Sequence, residues 1–428
     1  MHKHQLTELA TGERVASERV PGVRSVALGF WIGAGSRDEP NARAGVSHFI
    51  EHLLFKGSER YSAQEIAETF DELGGELNAA TSRETTMVYA RVPDTRLEVA
   101  LDVMADMVYR PSFVDVDSER EVVLEEIAMV EDTPHDLVHD IASEAVFGSH
   151  PLGRPVIGRA EVISSVSRRA LAGYHHRAYS GERVVVAAAG SVRHDEVVRL
   201  VEERRNGAVA QTTLPPRRPV RGPVRPGARF QQKDTEQYHV CLSAPGISRT
   251  DERRFAASLL DAILGGSASS RLFQEIREKR GMAYSVYSFQ SQYSDTGQVG
   301  FYVGTREETL DECLEVALSE LVDLAAGDLR AEELARAKEN LRGRLLLSLE
   351  STSNRMTRLG KSIVTATPLL SVEEIVRRLD AVTASEVCEL ARELLAPERL
   401  SAAGIGPHES RFREAVARVS PALLSKAA

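Results

Sequence analysis

Apolar residues recur at positions 46, 49, 50, 53 and 54 of GVSHFIEHLLFKG (45–57), the i, i+3, i+4, i+7, i+8 set of one buried helical stripe. The same period predicts a helix over 64–73 (QEIAETFDEL), while RSVALGFWIGAG and TTMVYARV read as extended segments. A second run repeats this order. YHVCLSAPG is extended, RRFAASLLDAILGG and SSRLFQEIREKRG are helical, YSVYSFQSQYSDTGQVGFYVGT alternates, and long helices run from 307 to 350. Between the runs, residues 207–229 (GAVAQTTLPPRRPVRGPVRPGAR) carry five prolines, five arginines and no apolar period. Proline at that density blocks helix and central strand alike, which predicts an extended, solvated linker kept off both cores.

The pattern therefore predicts an α+β unit used twice: residues 1–206, the linker 207–229, and residues 230–428. Partial segregation of helices from strands predicts helices against one face of each sheet. Aligning LLFKGS (53–58) with AILGGS (262–267) sets His48, Glu51 and His52 opposite Ala257, Leu260 and Asp261. The polar trio belongs to the first copy only.

A chain of 428 residues exceeds one ordinary core, and 42% hydrophobic with 27% charged residues is ordinary for a soluble protein. The net charge of −10 argues against nucleic acid as a bulk partner. Cys241, Cys313 and Cys388 stand far apart without metal-ligand spacing, which fits a reducing compartment without a disulfide framework. The first 22 residues hold no apolar signal region, and no apolar run approaches the ~20 residues of a membrane span. The expectation is a cytoplasmic soluble protein with no membrane partner.

Chemistry enters on the polar side of the 46–54 helix. His48 and His52 are one turn apart, so both imidazoles aim the same way, and Glu51 projects from an adjacent angle. Two neutral imidazoles so placed suit zinc, and a non-ligand carboxylate beside them can take a proton from water held there. The first half has no cysteine, so a closed structural site is not expected. A third ligand is sought in DVDSEREVVLEEIAMVED (115–132), where Ser118 and Glu121 read as a capping box and Val123, Ile127 and Val130 as the apolar stripe. At ~100° per residue Glu125 faces away from Val123 toward water, whereas Glu126 borders the buried face with Glu119 on its side. Glu126 is the expected ligand and Glu119 an outer-shell carboxylate.

HFIEHLLFKG, NAATSRETTMVYARV and EREVVLEEI, in that order, resemble the catalytic subunit of the pitrilysin (insulinase) family of zinc metallopeptidases, including the beta-like subunit of the mitochondrial processing peptidase. HxxEH is the inverzincin signature, and the resemblance extends over nearly the whole chain. It implies two homologous α/β sandwich halves forming a clamshell, one Zn2+ per chain on His48, His52 and Glu126, Glu51 as general base, and Glu119 as the supporting glutamate. Arg277 and Tyr284 occupy the places of an arginine and a tyrosine that reach the active site in relatives. The residue-level alternatives are a surface charge for Arg277 and a strand core residue for Tyr284. Asn78, Ala79 and Ala80 resemble the edge segment that holds substrate backbone as an added strand; an ordinary turn is the alternative.

The expected activity is zinc-dependent endopeptidase action on peptides or unfolded segments inside a closed chamber, by a homodimer or a heterodimer with a related subunit. Two other readings are a non-catalytic scaffold or partner subunit of a processing peptidase complex, and a zinc hydrolase of a small non-peptide amide.

Overall fold

The computed structural model describes residues 4–205, 214–220, 225–420 and 423. The described chain forms two compact units, Met1–Ala128 with Pro155–Arg218 and Leu346–Leu369, and Met129–Arg154 with Pro219–Leu345 and Leu370–Ala428. Neither unit is one continuous stretch.

The first unit holds strands β1 (His4–Glu8), β2 (Arg14–Arg19), β3 (Ser25–Ile32), β4 (Glu76–Thr81), β5 (Thr86–Pro93) and β6 (Val184–Gly190) in the order β1-β2-β6-β3-β5-β4. Only β2 and β6 pair in parallel. In the second unit β7 (Ala228–Gln232), β8 (Tyr238–Gly246), β9 (Ala283–Gln292), β10 (Gly297–Thr305) and β11 (Ser401–Gly406) take the order β7-β11-β8-β10-β9, with β7 and β11 parallel. Matched in chain order, β2 to β6 and β7 to β11 share one topology. The repeat expected from element order is thus present in the sheets themselves, with β1 as an addition to the first.

In the first unit the helices are α1 (Val46–Leu54), α2 (Ala63–Leu73), α3 (Leu97–Tyr109), the start of α4 (Val116–Asp132), α6 (Ala160–Ile163), α7 (Arg168–Ala178), α8 (His194–Arg204) and α12 (Thr352–Val364). The second contains α5 (Pro134–Phe147), α9 (Arg254–Leu264), α10 (Leu310–Ala326), α11 (Ala331–Ser348, except its last residues), α13 (Val372–Ala381), α14 (Ala384–Leu394) and α15 (Glu409–Val419). The expected helix over SSRLFQEIREKRG is irregular, with a π-helical turn at Phe273–Glu278.

One face of each sheet carries the main core, against α1, α3 and α7 in the first unit and α9, α10 and α14 in the second. Helices against one face only are not what forms. The opposite face of the first sheet buries Ala27, Trp31, Val185, Ala187 and Ala189 under Met356 and Leu359 of α12. That of the second buries Cys241, Tyr302, Ala403 and Ile405 under Val138 and Ala142 of α5. An apolar sheet face needs a cover, and each unit takes it from across the proline-rich segment. The division at 207–229 is therefore not the division into compact units.

Parts of the expected linker, 207–213 and 221–224, lie outside the described residues. The stretch 214–220 has no helix or strand, but it is not a free connector. Leu214 is buried, and Arg217 pairs with Asp38 at 3.0 Å and donates to Glu84 O at 2.6 Å. Strand β7 begins at Ala228, inside the expected linker. Among the described residues no helix is long and apolar enough to cross a membrane.

Candidate metal centre

Helix α1 begins where Gly45 takes φ +100°, a conformation glycine adopts without strain. Any Cβ there would lie 2.8 Å from Ile157 O and Gly158 Cα. The first amides are capped by the buried Glu39 carboxylate, which accepts from Gly45 N and Ser47 N at 2.7 Å each. A carboxylate at a helix N-terminus satisfies orphan N–H groups and complements the dipole. Val46, Phe49, Ile50, Leu53 and Leu54 are fully buried in the core, as the period predicts. This anchoring leaves His48, Glu51 and His52 on the half-exposed side.

Helix α4 supplies the third candidate ligand. It starts at Val116, two residues before the expected capping box. Ser118 lies inside the helix and donates to Asp115 O at 2.9 Å, while Asp115 itself turns the chain with φ +54°. Val123 and Ile127 face the core, Glu125 is exposed and Glu126 is half-buried, in line with the helical-wheel reading. His52 Nε2 lies 3.1 Å and His48 Nε2 3.6 Å from Glu126 Oε2. The three donor atoms lie within 4.8 Å of one another, and no fourth His, Cys, Asp or Glu joins them among the described residues.

These donors fit a zinc ion. Ligands at ~2.0–2.1 Å in tetrahedral directions stand ~3.3 Å apart, between the two spacings seen. Burial, then neighbouring His52, lowers the His48 pKa to about 4, so the imidazole is neutral, and thus ligand-competent, near neutral pH. His52 Nδ1 meets Glu119 Oε1 at 2.9 Å, and Glu119 Oε2 meets Lys56 Nζ at 2.7 Å. Glu119 is only 3% exposed, and it fixes the imidazole so that Nε2 faces Glu126.

Glu51 points beside this trio. Its Oε2 is buried without a hydrogen-bond partner, and burial raises its pKa, with Thr81 and His52 opposing the shift. An unpartnered carboxylate oxygen beside metal-type donors is available to a proton. Asn78, Ala79 and Ala80 sit in β4, the outermost strand of its sheet and a packing neighbour of α1, so the turn alternative falls away. Ala79 N donates to Asn78 Oδ1 at 2.8 Å, so this amide lies on the free edge.

In the second unit, the Arg277 guanidinium stacks 4.5 Å from the Tyr284 ring and 4.7 Å from Phe273. Tyr284 is 78% exposed, so it is not a strand core residue. Asp261, which aligns with His52, is instead tied to Ser288 at 2.6 Å, and among the described residues the second unit has no equivalent trio. The sequence reading did not find Glu39, Lys56 or Thr81. Lys56 follows His52 by one turn, a spacing that would have flagged it.

Two family models match the chain: Insulinase (Peptidase family M16) over residues 14–160, and Peptidase M16 inactive domain over residues 165–341. The chain belongs to the M16 (insulinase) peptidase family. An uncharacterized zinc protease of Mycobacterium tuberculosis is 44% identical over 411 residues, 95% of this chain and 93% of that protein. Another, of Streptomyces coelicolor, is 42% identical over 423 residues, 96% and 92% of the two chains. Among solved structures, a protease from Helicobacter pylori superposes with TM-score 0.89 at 22% identity, covering 95% of this M16 chain and 100% of the other. A peptidase M16 inactive domain from Pseudomonas fluorescens gives 0.88 at 23%, covering 95% and 98%. These neighbours share the fold; none of these relatives is named a processing peptidase.

Proposed function

We propose that this M16 chain is a zinc-dependent endopeptidase that hydrolyses peptides or unfolded segments, with Glu51 as general base. The observation that carries the reading is the convergence of His48, His52 and Glu126 with the unpartnered Glu51 oxygen beside them. His48 Nε2, His52 Nε2 and Glu126 Oε2 would hold one Zn2+, which when bound supplies Lewis-acid polarisation and acidifies water. Glu51 Oε2 accepts the proton of the attacking water and returns it to the leaving nitrogen. The free edge of β4 takes an extended substrate as an added strand, giving affinity through main-chain hydrogen bonds with little demand on sequence. A closed chamber, with Tyr284 donating to the oxyanion and Arg277 holding substrate, belongs to the same proposal and rests on the family resemblance.

Glu51→Gln is the test. It keeps the shape and the ligands but removes the proton acceptor, so zinc stays near one per chain while cleavage of a quenched peptide is lost. Unchanged cleavage would overturn the assignment of Glu51. A wild-type chain that takes zinc but cleaves no peptide would support the scaffold reading instead.

A further inference from the structure

The second unit carries another pair of histidines four residues apart. His135 and His139 lie on successive turns of α5, with ring centroids 6.0 Å apart. Their Nε2 atoms share a partner. His135 Nε2 is 3.0 Å and His139 Nε2 2.8 Å from a single atom, the phenolic oxygen of Tyr287 on β9. A phenol has one proton, so at most one of the two contacts is a donation from Tyr287, and the other imidazole must donate to it.

The surroundings hold this convergence in place. Tyr302 stacks on Tyr287 with centroids 5.0 Å apart and is itself bonded to His239 Nδ1 at 2.8 Å. Phe289 packs edge-on against His139 at 5.0 Å. His135 Nδ1 is 3.1 Å from Asp136 Oδ1, which orients the ring and leaves Nε2 for Tyr287. A carboxylate on the far nitrogen is the usual support of a metal-ligating histidine. The His135 side chain is 45% exposed, which leaves an entry path.

We propose that His135, His139 and Tyr287 form a second metal site, for a divalent transition-metal ion that favours imidazole nitrogen. Two imidazole nitrogens converge on one phenolic oxygen, and Asp136 gives His135 anionic support. Among first-row ions such a donor set holds Cu2+ most tightly, with Ni2+ and Zn2+ weaker. The bland reading, a polar aromatic cluster under α5, accounts for the stacking but does not require both Nε2 atoms to meet one oxygen.

The test titrates the full chain with Cu2+ alone, reading stoichiometry by metal analysis after desalting and nitrogen coordination by electron paramagnetic resonance. Zinc-loaded wild type is expected to take one further ion per chain. The His52→Ala chain, with the first centre impaired, is expected to keep one Cu2+ showing two coordinated nitrogens. In either background His135→Ala or His139→Ala weakens that ion by at least about 100-fold, since losing a ligand costs no less than losing an outer-shell partner. Should the buried-side variant His139→Ala misfold, the half-exposed His135→Ala decides, with circular dichroism in chelator as the fold control. Tyr287→Phe keeps the stacking and weakens binding less. Copper that survives His135→Ala unchanged, or a zinc-loaded wild type that takes no second ion, overturns the proposal.

Discussion

Glu119, itself almost closed to water, uses both carboxylate oxygens, one on His52 Nδ1 and one on Lys56 Nζ. A buried carboxylate needs its cation, and the imidazole needs its carboxylate, so the three act as one support. Glu119→Gln keeps the volume but loses the charge and the lysine pairing. It is expected to lower zinc affinity by about 10–100-fold, read by competition with a chelator of known affinity. Lys56→Met shifts affinity the same way by less. Equal zinc affinity in wild type and Glu119→Gln would show that the contact is only structural. At this scale the sequence was informative wherever a helical period applies. Glu126 and Glu119 fall on the side of α4 that meets His52 because the wheel fixes side-chain direction. Glu39 was not legible, because its contact with the start of α1 depends on how an irregular loop folds back.

At the scale of single elements, β4 shows what an exposed edge provides. Ala79 N–H bonds the side chain of Asn78 rather than a backbone carbonyl of β5, so it is the amide an incoming peptide would reach. Proline is tolerated at edges but cannot donate. Ala79→Pro should therefore leave the β4–β5 ladder intact and remove one main-chain bond to substrate. With one hydrogen bond contributing ~0.5–1.5 kcal/mol, KM for a peptide should rise by roughly 2–10-fold with kcat little changed. Steady-state kinetics on a quenched peptide reads the split, and an unaltered KM would remove β4 from the substrate path. That this segment is a strand and not a turn could not be decided from Asn78 alone, since asparagine favours turns for local reasons that tertiary pairing overrides. The start of α4 was misplaced likewise: Ser118 and Glu121 have capping-box spacing, but the chain turns at Asp115.

For the whole molecule, the sequence repeat and the compact units disagree, and the reason is physical. Periodicity shows that α5 and α12 each have an apolar side, but not which sheet that side will cover. Helix α12 lies C-terminal to the proline-rich segment yet covers the first sheet, where Trp31 packs so closely that a Cβ on Gly360 would sit 2.0 Å from its Nε1. Helix α5 lies before the segment yet covers the second sheet. A cut at 207–229 thus strips one apolar sheet face in each product, leaving surfaces that monomeric proteins rarely expose. Expressed alone, residues 1–206 and 230–428 should each aggregate or bind a hydrophobic dye without a cooperative melt. Co-expressed, they should recover a soluble one-to-one complex, because each fragment holds the helix the other lacks. Size-exclusion chromatography and thermal denaturation of the separate and paired fragments make the comparison. A lone 1–206 fragment that melts cooperatively near the full chain's temperature would mean that α12 is dispensable, and that the boundary read from the prolines was also the folding boundary.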